Sequence, residues 1–417
     1  MALSDTAIPQ GNAYRRLFGN RSFVALWVGQ MISFIGDYCN YLAIPIMVNR
    51  LTGSAMMVGL AVMATALPAL LLGPIAGVFV DRWDRKWTMI ISDVLRGVIV
   101  LSLLLVRSVD QVWIFYVEGF LVSCVSQFFF PARNAVLPLI VKEQDDLLPA
   151  NGLMQVIQMF GLLAGPALAG FAIGLWGERI AFIANSAGYF ASAAVLTLMV
   201  VPRTTSAPPS SGNRIQEVRA ELLDGLVYLF GHRSTLGVLI CMSVAMLGFG
   251  AIQVIWVPYL QSAFGVGATG LGIVDSVQGA GMLVGGVLLG FVAGRVSKIT
   301  LGSGGICLLG LGFAAMGFAP TFTILIAISF VVGLAIVPAE SALSTIMQLA
   351  VPDLKRGRVS SSLGAVTTAA SLISMGLASM FGEAIGLSNV YAFTGLLVFI
   401  AGLLGFWLLK EPEGQAA

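Results

Sequence analysis

Charge is scarce in this chain. Only 10% of its 417 residues are Asp, Glu, Lys or Arg, against roughly 25% in an average soluble domain, and a water-soluble fold of this length could not cover its surface with so little. Histidine is nearly missing: His232 is the single one, which removes His-based catalysis and His-rich metal sites. The four cysteines, Cys39, Cys124, Cys241 and Cys307, fall in separate apolar runs with no metal-ligand or redox spacing, and read as small buried hydrophobes. No G-x-x-x-x-G-K-[ST], H-E-x-x-H or G-x-S-x-G motif occurs, so ATP hydrolysis, zinc-peptidase and serine-hydrolase chemistry are not expected. No cofactor, no metal and no enzymatic activity are expected. A net charge of +2 gives no sign of a nucleic-acid partner.

What is present is apolar. Hydrophobic residues make up 58% of the chain, and glycine is abundant at 49 residues, as suits helices that pack closely in a bilayer. A span takes about 20 apolar residues. Walking between polar breaks predicts twelve: 22–48, 56–80, 86–106, 112–138, 147–175 and 179–201, then 235–260, 269–293, 299–318, 322–349, 359–382 and 389–409. Lys and Arg cluster on one side of this scheme. Eighteen fall on the side of the N-terminus, only Arg50, Arg107 and Arg179 fall on the other, and Arg96 lies within a span. That bias predicts both termini in the cytoplasm. The first 21 residues lack the basic, apolar and cleavage regions of a signal peptide and are expected to form a cytoplasmic tail, as is 410–417.

Between the sixth and seventh spans, 202–234 opens with a Pro/Ser-rich linker. Ile215, Val218, Leu222, Leu226 and Leu229 then follow at helical spacing with charges between them. The pattern reads as an amphipathic helix on the inner membrane face or as an extension of the seventh span. It divides the chain into six-helix bundles at 22–201 and 235–409. The halves repeat each other weakly: GVFVDRWDRK after the second span matches GFVAGRVSK after the eighth, and FPARNAVLP in the fourth matches VPAESALS in the tenth. Repeats of this kind mark transporters that rock two bundles about a central site.

The segment Gly77-Val78-Phe79-Val80-Asp81-Arg82-Trp83-Asp84-Arg85-Lys86 resembles the loop signature of the major facilitator superfamily, and stands where that family has it. The second-half copy keeps Gly290, Arg295 and Lys298 but has Gly294 in place of the acid. In the fifth span Gly152, Gly161, Gly165, Pro166 and Gly170 resemble the family's antiporter signature, with Ala169 replacing one glycine. Further stretches resemble the exporter branch that holds macrolide-efflux-like and siderophore-exporter-like proteins and lysophospholipid translocators. The resemblance implies an all-α membrane protein of twelve helices in two pseudo-symmetric bundles. It also implies that Gly77, Asp81, Arg82, Arg85 and Lys86 form a cytoplasmic gate. There Asp81 would meet the start of the eleventh span near Gly357–Ser362, where unpaired amides and the helix dipole favour an anion.

Ionisable groups inside spans are costly, at least ~2.5–3.5 kcal/mol each on insertion scales, so each needs a reason. The resemblance implies that the first and fourth spans line a central cavity, so Asp37 and Glu118 are expected to face it and to couple substrate to protons. The alternatives are that Asp37 bonds to Asn40 and that Glu118 reaches outer water. Asp93 and Arg96, one turn apart, are expected to neutralise each other, or to reach Arg133. Arg133 and Glu340 occupy matching repeat positions and are candidates to pair across the inner mouth. Asp275 reads as a hydrogen-bonder with Gln278 or as a second charge of the site, and Glu383 as solvated. Gln30, Asn40, Tyr41, Gln127, Gln155, Gln253, Trp256, Tyr259 and Gln278 are candidate cavity-lining groups. Trp27, Trp113 and Trp176 read as interface anchors. The expected function is proton-coupled export of a small amphiphilic compound by a monomer in the cell membrane. Lipid or lysolipid translocation and a non-transporting receptor are the alternatives.

Overall fold

A computed structural model describes residues 10–80, 82–202 and 214–409. Among them are fourteen α-helices and no strand, and twelve of the helices are long and apolar enough to cross a membrane. A short helix α1 (Gln10–Gly19) precedes the first bundle: α2 (Arg21–Thr52), α3 (Ala55–Val80), α4 (Arg85–Leu101), α5 (Trp113–Ile140), α6 (Leu147–Trp176) and α7 (Glu178–Thr197). The connecting helix α8 (Arg214–Gly231) leads to the second bundle: α9 (Arg233–Phe264), α10 (Ala268–Val292), α11 (Lys298–Gly317), α12 (Phe322–Ala350), α13 (Asp353–Ile385) and α14 (Leu387–Leu408). With six spans per bundle, the starts of α2 and α9 share one face of the molecule with α8. We call it the linker face, and the other the opposite face.

Local chemistry sets the ends of these helices. Asn20 caps α2, its side-chain oxygen accepting from the N–H groups of Ser22 and Phe23 at 3.0 and 3.3 Å while its amide donates to the Ile140 carbonyl at 2.7 Å. Four otherwise orphaned amides open every helix, and such a cap satisfies two of them. At the other end Gly53 turns the chain with a φ of 63°, a left-handed conformation that a Cβ would disfavour. His232, in extended conformation, separates α8 from α9, so α8 is a helix of its own rather than an extension of the seventh span.

Helix α8 lies along the start of α13. Ser362 donates its hydroxyl to the Leu222 carbonyl at 2.9 Å, Tyr228 to the Ala350 carbonyl at 3.1 Å, and Arg358 pairs with Asp224 at 3.0 Å. At the start of the chain Arg16 of α1 holds Asp146 ahead of α6 at 2.5 Å.

The bundles meet unequally. Among the described residues, four hydrogen bonds join them, all in the half toward the opposite face. Asn49 donates to Gln261 at 2.7 Å, the Ala55 N–H to the Glu383 carboxylate, the Ala167 N–H to Ser276 at 3.0 Å, and Thr269 to the Gly170 carbonyl at 3.2 Å. Glu383 is therefore a seam residue, not a merely solvated one. The α6–α10 crossing is close because both helices present glycine: a Cβ on Gly170 would meet the Ala268 carbonyl oxygen at 2.5 Å. Pro166 explains the Ser276 bond. Proline disturbs the helical ladder around it, and the neighbouring Ala167 amide turns to a hydroxyl on the other bundle.

Candidate functional site

Two adjoining cavities lie between the bundles below this seam. The smaller, of about 390 Å³, is walled mainly by the first bundle and is polar, with Asp37, Asn40, Thr65, Arg96, Glu118, Ser126, Gln127, Asn185 and Tyr189 among its residues. The larger, of about 630 Å³, is walled mainly by the second bundle and is apolar, with Met242, Met246, Phe249, Met282, Phe313 and Met316 beside Asp275 and Gln278. Asp37, Tyr41, Gln253 and Trp256 border both.

The polar wall is built from the α2–α7 crossing. Gly36 lets the Asn185 backbone approach, its Cα at 2.9 Å from where a Cβ would stand. One turn on, this proximity brings the Tyr189 hydroxyl to Asp37, to which it donates at 2.5 Å. The Arg96 guanidinium in turn lies over the Tyr189 ring at 4.5 Å and over the Phe129 ring at 4.3 Å. Arg96 also pairs with Asp93, and neither is more than 2% exposed. Two aromatic faces and a carboxylate together offset the cost of holding a guanidinium out of water. Glu118 lies apart from this chain of contacts. It accepts from Asn40 at 3.1 Å, and its second oxygen is buried with no partner. Asn40 thus serves Glu118 and not Asp37, and Glu118, only 1% exposed, does not reach outer water.

Other sequence candidates land elsewhere. Arg133 takes Gln30 and Asn134 as partners, at 3.3 and 3.1 Å, and forms no ion pair with Glu340. No hydrogen bond joins the bundles near the linker face among the described residues, and Glu340 instead borders the large cavity. Gln30 is occupied by Arg133, Gln155 is exposed on α6, and Tyr259 spends its hydroxyl on the Met316 carbonyl at 2.8 Å while packing on Tyr391. None of these three borders either cavity. Asn40, Tyr41, Gln127, Gln253, Trp256, Asp275 and Gln278 do. Asp275 makes no hydrogen bond with Gln278; its neighbour is Trp256. Trp27 is tied to the Leu153 carbonyl at 3.0 Å and is no free anchor, whereas Trp113 and Trp176 are exposed at the opposite face.

Asp81 lies outside the described residues. Of the remaining loop residues, Gly77 has open space where a Cβ would stand and Arg82 is exposed. Arg85 opens α4 behind an Asp84 cap, and Lys86 donates to the Thr197 carbonyl at the end of α7 at 2.7 Å. In the glycine run of α6, Gly161 and Gly165 receive the rings of Phe34 and Tyr38 from α2, Gly170 meets α10, and Gly152 faces open space. Tyr189, Tyr38, Ser276 and the methionine wall were not singled out by sequence reasoning. A tyrosine in an apolar helix carries no mark of what its hydroxyl will meet.

Two six-helix bundles around cavities sealed toward one face have the architecture of a polytopic membrane transporter. The chain belongs to the Major Facilitator Superfamily, whose family model matches residues 26–255 and 238–417; it is an MFS-type transporter, not an enzyme. It is 30% identical over 415 residues to the uncharacterized MFS-type transporter YfiS of Bacillus subtilis (strain 168), covering 96% of each chain. It is 26% identical over 391 residues to macrolide efflux protein A of Streptococcus pyogenes, covering 92% of this chain and 94% of that one. Its structure is similar to that of a bacterial homologue of the iron transporter ferroportin in an inward-facing state. The TM-score is 0.73 and the identity 15%, covering 93% of this chain and 98% of that chain; at that identity the likeness concerns the fold alone.

Proposed function

We propose that this transporter exports a small amphiphilic compound from the cytoplasm by proton-coupled alternating access. It would work as a monomer in the cell membrane, with the linker face and both termini in the cytoplasm. The observation that carries the reading is the placement of Asp37 and Glu118 on one polar cavity between two bundles that are sealed on the opposite face only. With the linker face inside, the excess of Lys and Arg there follows the positive-inside rule, and the cavity is caught facing the cytoplasm. A proton arriving at either carboxylate removes a buried negative charge and changes what the cavity can hold. The relative named for macrolide efflux, together with the glycine-proline run of α6, supports export over uptake. In this cycle Gly77, Asp81, Arg82, Arg85 and Lys86 act at the cytoplasmic gate, and the Asp93–Arg96 pair keeps the first bundle's interior near neutrality.

The test is uptake into inverted membrane vesicles, scanned over macrolides, siderophores, dyes and lysolipids with and without an imposed pH gradient. Gradient-dependent accumulation of at least one amphiphile is expected, lost in Asp37→Asn and in Glu118→Gln. No gradient-dependent accumulation of any class would reject export. Full gradient-driven transport in both variants would reject the coupling assignment.

A further inference from the structure

The large cavity holds a carboxylate, Asp275, that no cation pairs with among the described residues. Asp275 Oδ2 and the indole N–H of Trp256 are both buried and neighbour one another at a geometry short of a full hydrogen bond, and neither has a further partner. Buried polar atoms are nearly always paired, and leaving one without a full partner is costly, most of all for a charged group. An orphan pair aimed into a cavity therefore points to a ligand that completes it.

The rest of the wall says which ligand. Trp256 and Tyr41 stand near Asp275, Phe249, Met246 and Met282 line the same cavity, and no Lys, Arg or His is among the residues that border it. Nothing there would balance an anion. Aromatic faces attract cations, and methionine adapts its shape to irregular apolar surfaces. The volume of about 630 Å³ falls in the range of pockets for drug-sized molecules, roughly 300–1,000 Å³. Asp37, the other carboxylate at this depth, is already held by Tyr189, and Glu340 is exposed nearer the linker face.

We propose that Asp275 and Trp256 form a subsite for the positively charged head of a lipophilic cation, whose apolar body lies on the methionine and aromatic wall. The inference rests on reading this cavity as the cargo cavity, and gives that cargo its charge. It also separates two tasks: the second bundle reads the cation, while proton chemistry stays with Asp37 and Glu118 in the first. Cargo and proton then influence one another through the residues that border both cavities, Asp37, Tyr41, Gln253 and Trp256, rather than by exchange at Asp275 itself.

Equilibrium binding of radiolabelled tetraphenylphosphonium to the purified full-length protein, with no gradient, tests this. Asp275→Asn should weaken binding about tenfold or more, whereas Asp275→Glu, which keeps the charge, should stay within about threefold. Neutral triphenylphosphine oxide, of similar apolar shape, should compete within about twofold equally in wild type and Asp275→Asn. Absence of binding to wild type, an equal loss for charged and neutral probes, or a larger loss in Asp37→Asn than in Asp275→Asn would overturn the assignment. If Asp275→Asn does not elute as wild type does, Trp256→Leu serves: a loss of about threefold or more is expected, and unchanged binding overturns the subsite. Binding through Asp275 without gradient-driven flux in vesicles would reject export and uphold the subsite; flux with unaltered binding in Asp275→Asn would reject the subsite alone.

Discussion

In the bundle of α2–α7, Asp93, Arg96 and Glu118 are each at most 2% exposed, and Asp37 is tied into the same interior through Tyr189. The bundle of α9–α14 places its ion pairs at the linker end instead, where Arg358 meets Asp224 and Glu221, Lys355 meets Asp224, and Arg356 meets Asp353, all on partly exposed side chains. Its interior retains Asp275 among methionines and aromatics. The two halves repeat the same helix order, yet among the described residues only the first buries an ion pair. Pseudo-symmetry fixes how the backbones pack without fixing what the cavity walls do, and here the polar wall and the apolar wall face one another across a shared border.

The largest effect that would break this contrast lies at Arg96. Arg96→Met strips Asp93 of its partner and should cost about 3–5 kcal/mol, the usual penalty for leaving one member of a buried pair. The expected readout is a marked fall in the unfolding temperature of the detergent-solubilised protein. Arg96→Met combined with Asp93→Leu should recover most of it, since the orphan charge is then gone. Arg358→Met, the corresponding loss in the second bundle, acts on an exposed pair, where such contacts contribute little, and should leave the midpoint nearly unchanged. Equal effects in the two bundles would mean that the contrast in burial has no energetic content.

A smaller effect tests the seam that holds the unlike walls together. Gly272 crosses α6 where its Cβ would lie against the Pro166 carbonyl, with the Gly170 Cα at 3.2 Å. Gly272→Leu should cost the closed seam about 1–3 kcal/mol, as overpacking usually does. The bundles themselves would stay intact, so the change should appear in their spacing. Spin labels at the opposite-face ends of α6 and α10 should acquire a longer distance component by electron–electron resonance. An unchanged distribution would show that the crossing is not what keeps this face shut.

The spans, their order and the two-bundle plan were legible in the sequence because hydrophobic length is a long-range average that no single contact can overturn. The candidate site was legible in part. Asp37, Glu118 and Asp275 stand out because a carboxylate in an apolar run is rare and costly. Their partners were not readable. Tyr189 is 152 residues from Asp37, and its hydroxyl arrives there only because Gly36 lets α7 come close. Arg133 and Glu340 failed to pair for a related reason: repeat symmetry placed them at matching positions, but whether matching positions touch depends on which face of the molecule is closed. The start of α13 shows the same limit. Motif resemblance points Asp81 at it, a residue outside the described ones, and gave no sign that α8 packs there too, with Asp224 pairing with Arg358 and Gly225 fitting against the Arg358 carbonyl.

That packing gives the smallest expected effect, and it probes the exposed charges of the second bundle directly. Arg358 and Lys355 hold the Asp224 carboxyl below its ordinary value, which is near 3.9 in an unfolded chain. A depressed value means that the favourable contribution is present above the unfolded pKa and is lost as pH falls through the folded one. Docking of α8 should therefore be flat from about pH 8 to 5 and weaken only below about pH 4, and less so in high salt, which screens exposed pairs. Hydrogen exchange of the α8 amides would report it. Asp224→Asn should remove the acid limb of that profile while leaving the helix docked, because the Ser362–Leu222 and Tyr228–Ala350 hydrogen bonds involve no titrating group in this range. Were α8 to come free in Asp224→Asn at neutral pH, the exposed ion pairs would be holding the helix after all, and the second bundle's charges would matter as much as those buried in the first.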